Sequence, residues 1–175
     1  MAGDKRDVLL IGARKPVLIK GLDGNCHQVR VIDGLICVVD TANQAILRFT
    51  REGQPVDVKR PFPPAPADDR SGAYLHLNSI AHIGGRTVLL LHNGKAVPER
   101  PSELAWLDAD WNVTERVPLS GVKCHDIVAD ERGCIWHSAS MRGEIVSSRL
   151  TLGVVALSEE QYGEIMDIDR LEKES

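Results

Sequence analysis

Cys26-His27-Gln28-Val29-Arg30-Val31-Ile32-Asp33-Gly34-Leu35-Ile36-Cys37-Val38-Val39-Asp40 is the stretch whose reading decides the fold. It opens with a polar pair, alternates apolar and polar residues, turns at a glycine and ends in a strongly apolar run. The same lettering recurs in Leu77-Asn78-Ser79-Ile80-Ala81-His82-Ile83-Gly84-Gly85 with its following run, and in His125-Asp126-Ile127-Val128-Ala129 through Gly133 to Ile135-Trp136. His27, Asn78 and Asp126 each stand seven residues before the turn glycine, Gly34, Gly85 or Gly133. Alternation marks a half-buried strand, and a short continuous apolar run marks a strand covered on both faces. A unit of about 50 residues made of short strands and tight turns has the period of a propeller blade.

Outward from these repeats, the rest of the chain continues the pattern. The repeats run over about 25–60, 75–119 and 122–148, the first two each reading as four antiparallel strands. Terminal strands are predicted within 7–20 and 153–168. The segment 60–72, dense in proline, cannot pair regularly and reads as a long loop between repeats. Residues 93–102 form a second insertion rich in proline and charge. No long amphipathic helix is predicted. The expected fold is therefore all-β: one domain over 1–175, a small antiparallel β-propeller or partial propeller. Two closures are open. Either the N-terminal and C-terminal strand pairs combine into a fourth blade, or the chain is a partial ring that needs a partner.

Composition narrows the function classes. With 21 Lys and Arg against 25 Asp and Glu, the net charge of −4 carries no electrostatic footprint for nucleic acid. No apolar run reaches membrane-spanning length, and no segment reads as a secretory leader, so the expected location is cytoplasmic. Two Phe and two Tyr argue against an aromatic sugar-stacking groove. The four cysteines form no CxxC pair, which disfavours a zinc ribbon. Cys37 and Cys134 are expected to pack as small hydrophobes, and Cys26 and Cys124 to lie nearer a shared surface. Trp106, Trp111 and Trp136 are expected to serve packing.

In a propeller the first strand of each blade lines the axis, so equivalent positions of different blades converge. His27, Asn78 and Asp126 are then expected to meet, with His76 and His125 beside them. Such a set can bind a polar small molecule through hydrogen bonds. It can equally coordinate a divalent ion through His27, Asn78, His125 and Asp126 with mixed nitrogen and oxygen ligands, or simply satisfy backbone amides. Asp40, His92 and His137 form a weaker second set at strand ends; Asp40 reads mainly as a turn former and His92 as a cap.

The stretch Val38-Val39-Asp40-Thr41-Ala42-Asn43-Gln44-Ala45-Ile46-Leu47-Arg48-Phe49 followed by Glu52-Gly53 resembles the NHL-repeat pattern. His125-Asp126-Ile127-Val128 with Asp130, Gly133 and Ile135-Trp136 is similar to the blade opening of gluconolactonase-like and NHL-type propellers. The resemblance spans roughly two thirds of the chain. It implies a propeller architecture. The catalytic members of those families place Glu, Asn and Asp around a central metal, so it also implies a metal-assisted hydrolase of the lactonase type, with a bound water as nucleophile. Beside that alternative stands the first expectation: a binding module for a small polar ligand or a protein partner, assembling as a homo-oligomer if the ring is incomplete.

Overall fold

A two-residue turn follows the first strand in each of the first two repeats. Asp33 and Gly34 have φ of 50° and 79°, and Gly84 and Gly85 have 56° and 79°. Two successive left-handed residues make the tight turn whose twist matches that of paired strands, and glycine occupies the second place in both. In the computed structural model, which describes residues 5–10, 17–23, 25–65, 73–94, 99–129, 134–139, 144–149 and 166–167, these turns join the first strands of two four-stranded sheets.

The first sheet is a meander of β3 (Cys26–Ile32), β4 (Leu35–Asp40), β5 (Ala45–Phe49) and β6 (Pro55–Lys59). The second repeats it with β7 (Leu77–Ile83), β8 (Arg86–Leu91), β9 (Glu103–Leu107) and β10 (Val113–Pro118). The third contains β11 (Cys124–Ala129), β12 (Cys134–Ala139), β13 (Glu144–Arg149) and the short β14 (Met166–Asp167). Ahead of them, β1 (Lys5–Leu10) and β2 (Val17–Asp23) pair as a separate hairpin. Every pairing is antiparallel, and the described residues contain no helix.

The all-β expectation is met, and the three repeats correspond to the three larger sheets. One detail differs. β14 pairs with β13 as the last strand of the third sheet and does not join the N-terminal hairpin. The strand expected at 153–157 lies outside the described residues, as do 66–72 of the proline-rich loop. The described start of that loop is anchored: Phe62 is buried, and Gln44 donates through Nε2 to the Pro63 carbonyl at 2.9 Å.

The sheets stack face to face in chain order. Cys37, Val39 and Ile46 of the first pack against Leu89, Leu91, Ala105 and Leu107 of the second. Val88, Leu90, Leu104 and Trp106, from the other face of the second sheet, pack against Ile127, Ile135 and Val146 of the third. The second sheet is thus covered on both sides, and Leu89, Leu90 and Leu91 are all fully buried. That explains why β8 is apolar throughout rather than alternating. Each such leucine contributes about 1.5–3 kcal/mol by leaving water. The first strands, β3, β7 and β11, lie side by side with β7 in the middle. Their starts hold the candidate site.

Candidate functional site

Each of the three first strands carries a β-bulge at the same place. In β3 the pairing with β4 skips a residue between Cys26 and Gln28; in β7 it skips one between Leu77 and Ser79; in β11 it skips one between His125 and Ile127. The skipped residues are His27, Asn78 and Asp126, the three that share a position seven residues before the turn glycine. A bulge adds a residue to one strand, bends it and re-aims a side chain. Here it frees the polar member of each repeat from the ladder.

Asn78 is the hub. It is buried, and its Oδ1 accepts from the Asp126 backbone N–H at 3.3 Å and from the Ser79 hydroxyl at 2.7 Å. A backbone amide can only donate, so the oxygen of the amide is fixed on that side. The Nδ2 group must then be the one that meets His27 Nδ1 at 3.3 Å and His125 Nδ1 at 2.9 Å. Two N–H bonds reach two ring nitrogens on two neighbouring sheets. Both nitrogens act as acceptors and carry no proton, so the proton of each neutral ring sits on Nε2. Gln28 strengthens the same junction: its Oε1 accepts from the Ile80 amide at 2.7 Å, and its Nε2 lies 3.5 Å from Asp126 Oδ1.

His76 and His92 complete a ring of imidazoles. Centroids stand 5.0 Å apart for His27 and His76, 4.4 Å for His76 and His92, 4.7 Å for His92 and His125, and 6.1 Å for His125 and His27. The sequence places His92 in the second set and reads it as a cap; in the structure it stands opposite His76 in the hairpin. Its amide donates to the His76 carbonyl at 3.2 Å, just beyond the Leu77–Leu91 pair. That cross-strand register was the signal that could have found it. Gly94 packs against the His92 ring so closely that a Cβ there would overlap Cε1 and Nδ1. His76 at φ 52° and Asp126 at φ 50° are left-handed non-glycine residues. Such conformations cost roughly 1–3 kcal/mol each and gather at binding sites.

The electrostatics favour neutral rings at His92 and His27. Burial holds the His92 imidazole down to about 3, with His76, His125 and His27 adding repulsion. His27 is lowered first by burial and then by His125, with the Asp126 carboxylate working the other way. Asp126 itself is exposed at the rim.

Of the residues expected at the site, His27, His76, Asn78, His125 and Asp126 all arrive there. Of the second set, His92 joins them, while Asp40 and His137 do not. Asp40 is spent on its own turn, accepting from the Asn43 amide at 3.2 Å and side chain at 2.8 Å. His137 is buried between the second and third sheets. Cys124 faces that same core rather than a surface, and burial pushes the Cys37 thiol up to about 11, so neither is placed as a nucleophile. For metal, the expected ligands His27, Asn78, His125 and Asp126 meet as a hydrogen-bonded cluster. Among the described residues no group of three or more His, Cys, Asp or Glu is disposed to hold an ion. With Nδ1 of His27 and His125 turned to Asn78 and Nε2 protonated, neither ring offers a lone pair outward.

A separate cleft of about 410 Å3 opens at the hairpin end of the first two sheets, near Asp33, Arg48, Arg86, Asp108 and Trp111. Its charges are largely spent. Arg48 pairs with Asp57 and lies 5.2 Å over Trp111, while Asp108 accepts from Asn112 within its turn. Arg86 lies 4.8 Å over Trp106 and donates to Thr114 at 3.1 Å.

No family model and no curated protein matches the sequence. The fold is similar to the crystal structure of a protein of unknown function from Bacteroides caccae, with a TM-score of 0.54 and 12% identity. The match covers 85% of this chain and 57% of that one, so the chain spans little more than half the length of the structure it resembles. Among the described residues no helix is long and apolar enough to cross a membrane.

Proposed function

We propose that the chain is a binding module. Its three sheets are propeller-like segments about a common axis, and the imidazole cluster at the starts of β3, β7 and β11 receives a small polar ligand. The observation that carries this reading is the double donation of Asn78 to His27 and His125. It spends a buried amide on holding two rings in one tautomer, which a merely structural contact does not require.

The ligand chemistry follows from that tautomer. Each ring has its Nε2–H as the remaining polar group, a donor. The exposed Asp126 carboxylate is an acceptor at the same rim. A small molecule with acceptor oxygens for the imidazoles and a hydroxyl or amine for Asp126 fits this pattern. The left-handed backbone at His76 and Asp126 supports it too, since strain of this kind persists where the surroundings need a side chain in one place. Metal-assisted hydrolysis, the alternative the resemblance implied, draws no comparable support from this arrangement.

The test is a two-dimensional NMR titration of the full chain with a panel of small hydroxy acids, amides and polyols. Shifts centred on His27, His92 and His125 that disappear in Asn78→Ala, with its fold retained, are expected. A panel that shifts nothing at the cluster would contradict the reading.

A further inference from the structure

The cleft of about 410 Å3 lies at the far end of the first strands from the imidazole cluster. Its volume is that of a small-molecule pocket. The first sheet lends it Asp33, from the turn between β3 and β4, and Arg48 of β5. The second lends it Arg86 of β8 and Asp108, from the turn between β9 and β10. Arg48 and Asp108 are answered within the fold. Arg48 pairs with Asp57. Asp108 closes its own turn: Oδ1 accepts from the Asp110 amide at 2.9 Å and the Asn112 amide at 2.8 Å, and Oδ2 from the Asn112 side chain at 3.1 Å.

Asp33 and Arg86 are not answered in this way. Among the described residues the Asp33 carboxylate accepts no hydrogen bond and joins no ion pair. The Arg86 guanidinium lies 4.8 Å over the Trp106 ring and gives one Nη2 bond to the Thr114 hydroxyl at 3.1 Å. Stacking fixes the plane of its fork, and the hydroxyl is neutral, so the positive charge keeps no counter-charge. Opposite charges on two neighbouring sheets thus line one cleft without pairing with each other. The cleft also has an apolar wall, made by buried Leu107 and by Trp111, half-buried against the core of the first two sheets. Trp111 has φ 70°. A bulky side chain in the left-handed region is an outlier. The turn holds it there: the Trp111 amide donates to the Asp108 carbonyl at 3.1 Å, and the Asp108 amide to the Asn112 carbonyl at 3.0 Å. Strain of this kind gathers where a side chain is needed in one place.

We propose that this cleft is a second binding site, for a small zwitterion of the amino-acid type with an apolar side chain. The ligand carboxylate takes the unused N–H groups of Arg86, a planar fork suited to it. The ligand ammonium takes Asp33, and the side chain lies on Leu107 and Trp111. A molecule carrying both charges answers both walls at once. An anion alone leaves Asp33 unpaired, and a cation alone leaves Arg86. The site stands apart from the imidazole cluster and does not depend on the reading given for it.

The experiment is a two-dimensional NMR titration of the full chain with three probes: L-leucine, N-acetyl-leucine, which lacks the ammonium, and leucine amide, which lacks the carboxylate. Leucine should shift the Trp111 indole and the Gly85 amide and leave the His27 and His125 rings unmoved. Each derivative should bind about tenfold or more weakly than leucine, the scale of one hydrogen bond to a charged group. Asn adopts the left-handed backbone that Asp33 holds at φ 50°, and Arg86 is exposed, so Asp33→Asn and Arg86→Gln keep the parent spectrum away from the cleft. Asp33→Asn should bind leucine and N-acetyl-leucine alike, and Arg86→Gln should bind leucine and leucine amide alike. No shift at the cleft with leucine, equal affinity for all three probes, or discrimination that survives both variants overturns the proposal. Shifts confined to the imidazole cluster overturn it as well, and leave the reading of that cluster standing.

Discussion

Asn78 donates to His125 Nδ1 at 2.9 Å, joining β7 of the second sheet to β11 of the third, while its other N–H reaches His27 on the first. One buried amide thus reads the protonation of two imidazoles. Replacing it with alanine orphans the Asp126 amide and removes both donors. A loss of about 1–3 kcal/mol of stability is expected. Asn78→Asp is nearly isosteric but can only accept. It should drive His27 and His125 to carry the proton on Nδ1, which the ring nitrogen chemical shifts report.

Gly94 should be intolerant of any side chain because of His92. Gly94→Ala puts a methyl group onto the His92 ring and is expected to cost about 1–3 kcal/mol by overpacking. In a His92→Ala background the ring is gone and the penalty should vanish. A double-mutant cycle by urea unfolding measures the difference.

The histidines also set a pH dependence. His92, His27 and His137 all have folded-state values below the ordinary 6.5, with burial as the first cause in each. The unfolded chain therefore binds protons at a pH where the folded chain does not. Stability is complete above about pH 6.5 and falls as pH drops from there toward 3, where His92 titrates in the fold. His137 is 2% exposed within the core beside the second sheet, with no hydrogen bond of good geometry to its ring nitrogens among the described residues. His137→Leu should make the decline below about pH 6.5 shallower, as followed by thermal unfolding across pH.

The Arg48–Asp57 pair gives a contrasting, weak effect. The Arg48 hydrogen bond holds the Asp57 carboxyl down to about 2, below its ordinary 3.8. That contribution is present above about pH 4 and is lost as pH falls toward 2. Both side chains meet water, so Asp57→Asn should cost only about 0.5 kcal/mol at neutral pH, and less in high salt.

Much of this arrangement was legible in the lettering, for identifiable reasons. The seven-residue spacing to the glycine located His27 and Asn78 because β3 and β7 each run from a bulge to a two-residue turn, and the same count in the lettering located Asp126. The apolar runs at β4 and β8 announced sheets covered on both faces. His92 was missed because its place depends on cross-strand register opposite His76, which spacing along one strand does not carry. His137 has the same chemistry, yet it faces the core: it stands four residues after Gly133, the place of Val38 and Leu89 in the other repeats, whereas His92 stands seven after Gly85, beyond the end of β8. The Asn78 tautomer lock needed the Asp126 amide, a backbone group that no letter represents.

The central claim is that Asn78 holds His27 and His125 as neutral rings protonated at Nε2. A long-range proton–nitrogen correlation spectrum of the full chain at neutral pH, assigned with His27→Gln and His125→Gln, tests it directly. Two rings with the pattern of an Nε2–H tautomer, both changing in Asn78→Ala, are the predicted result. Rings protonated at Nδ1, or a pattern indifferent to Asn78, would contradict it.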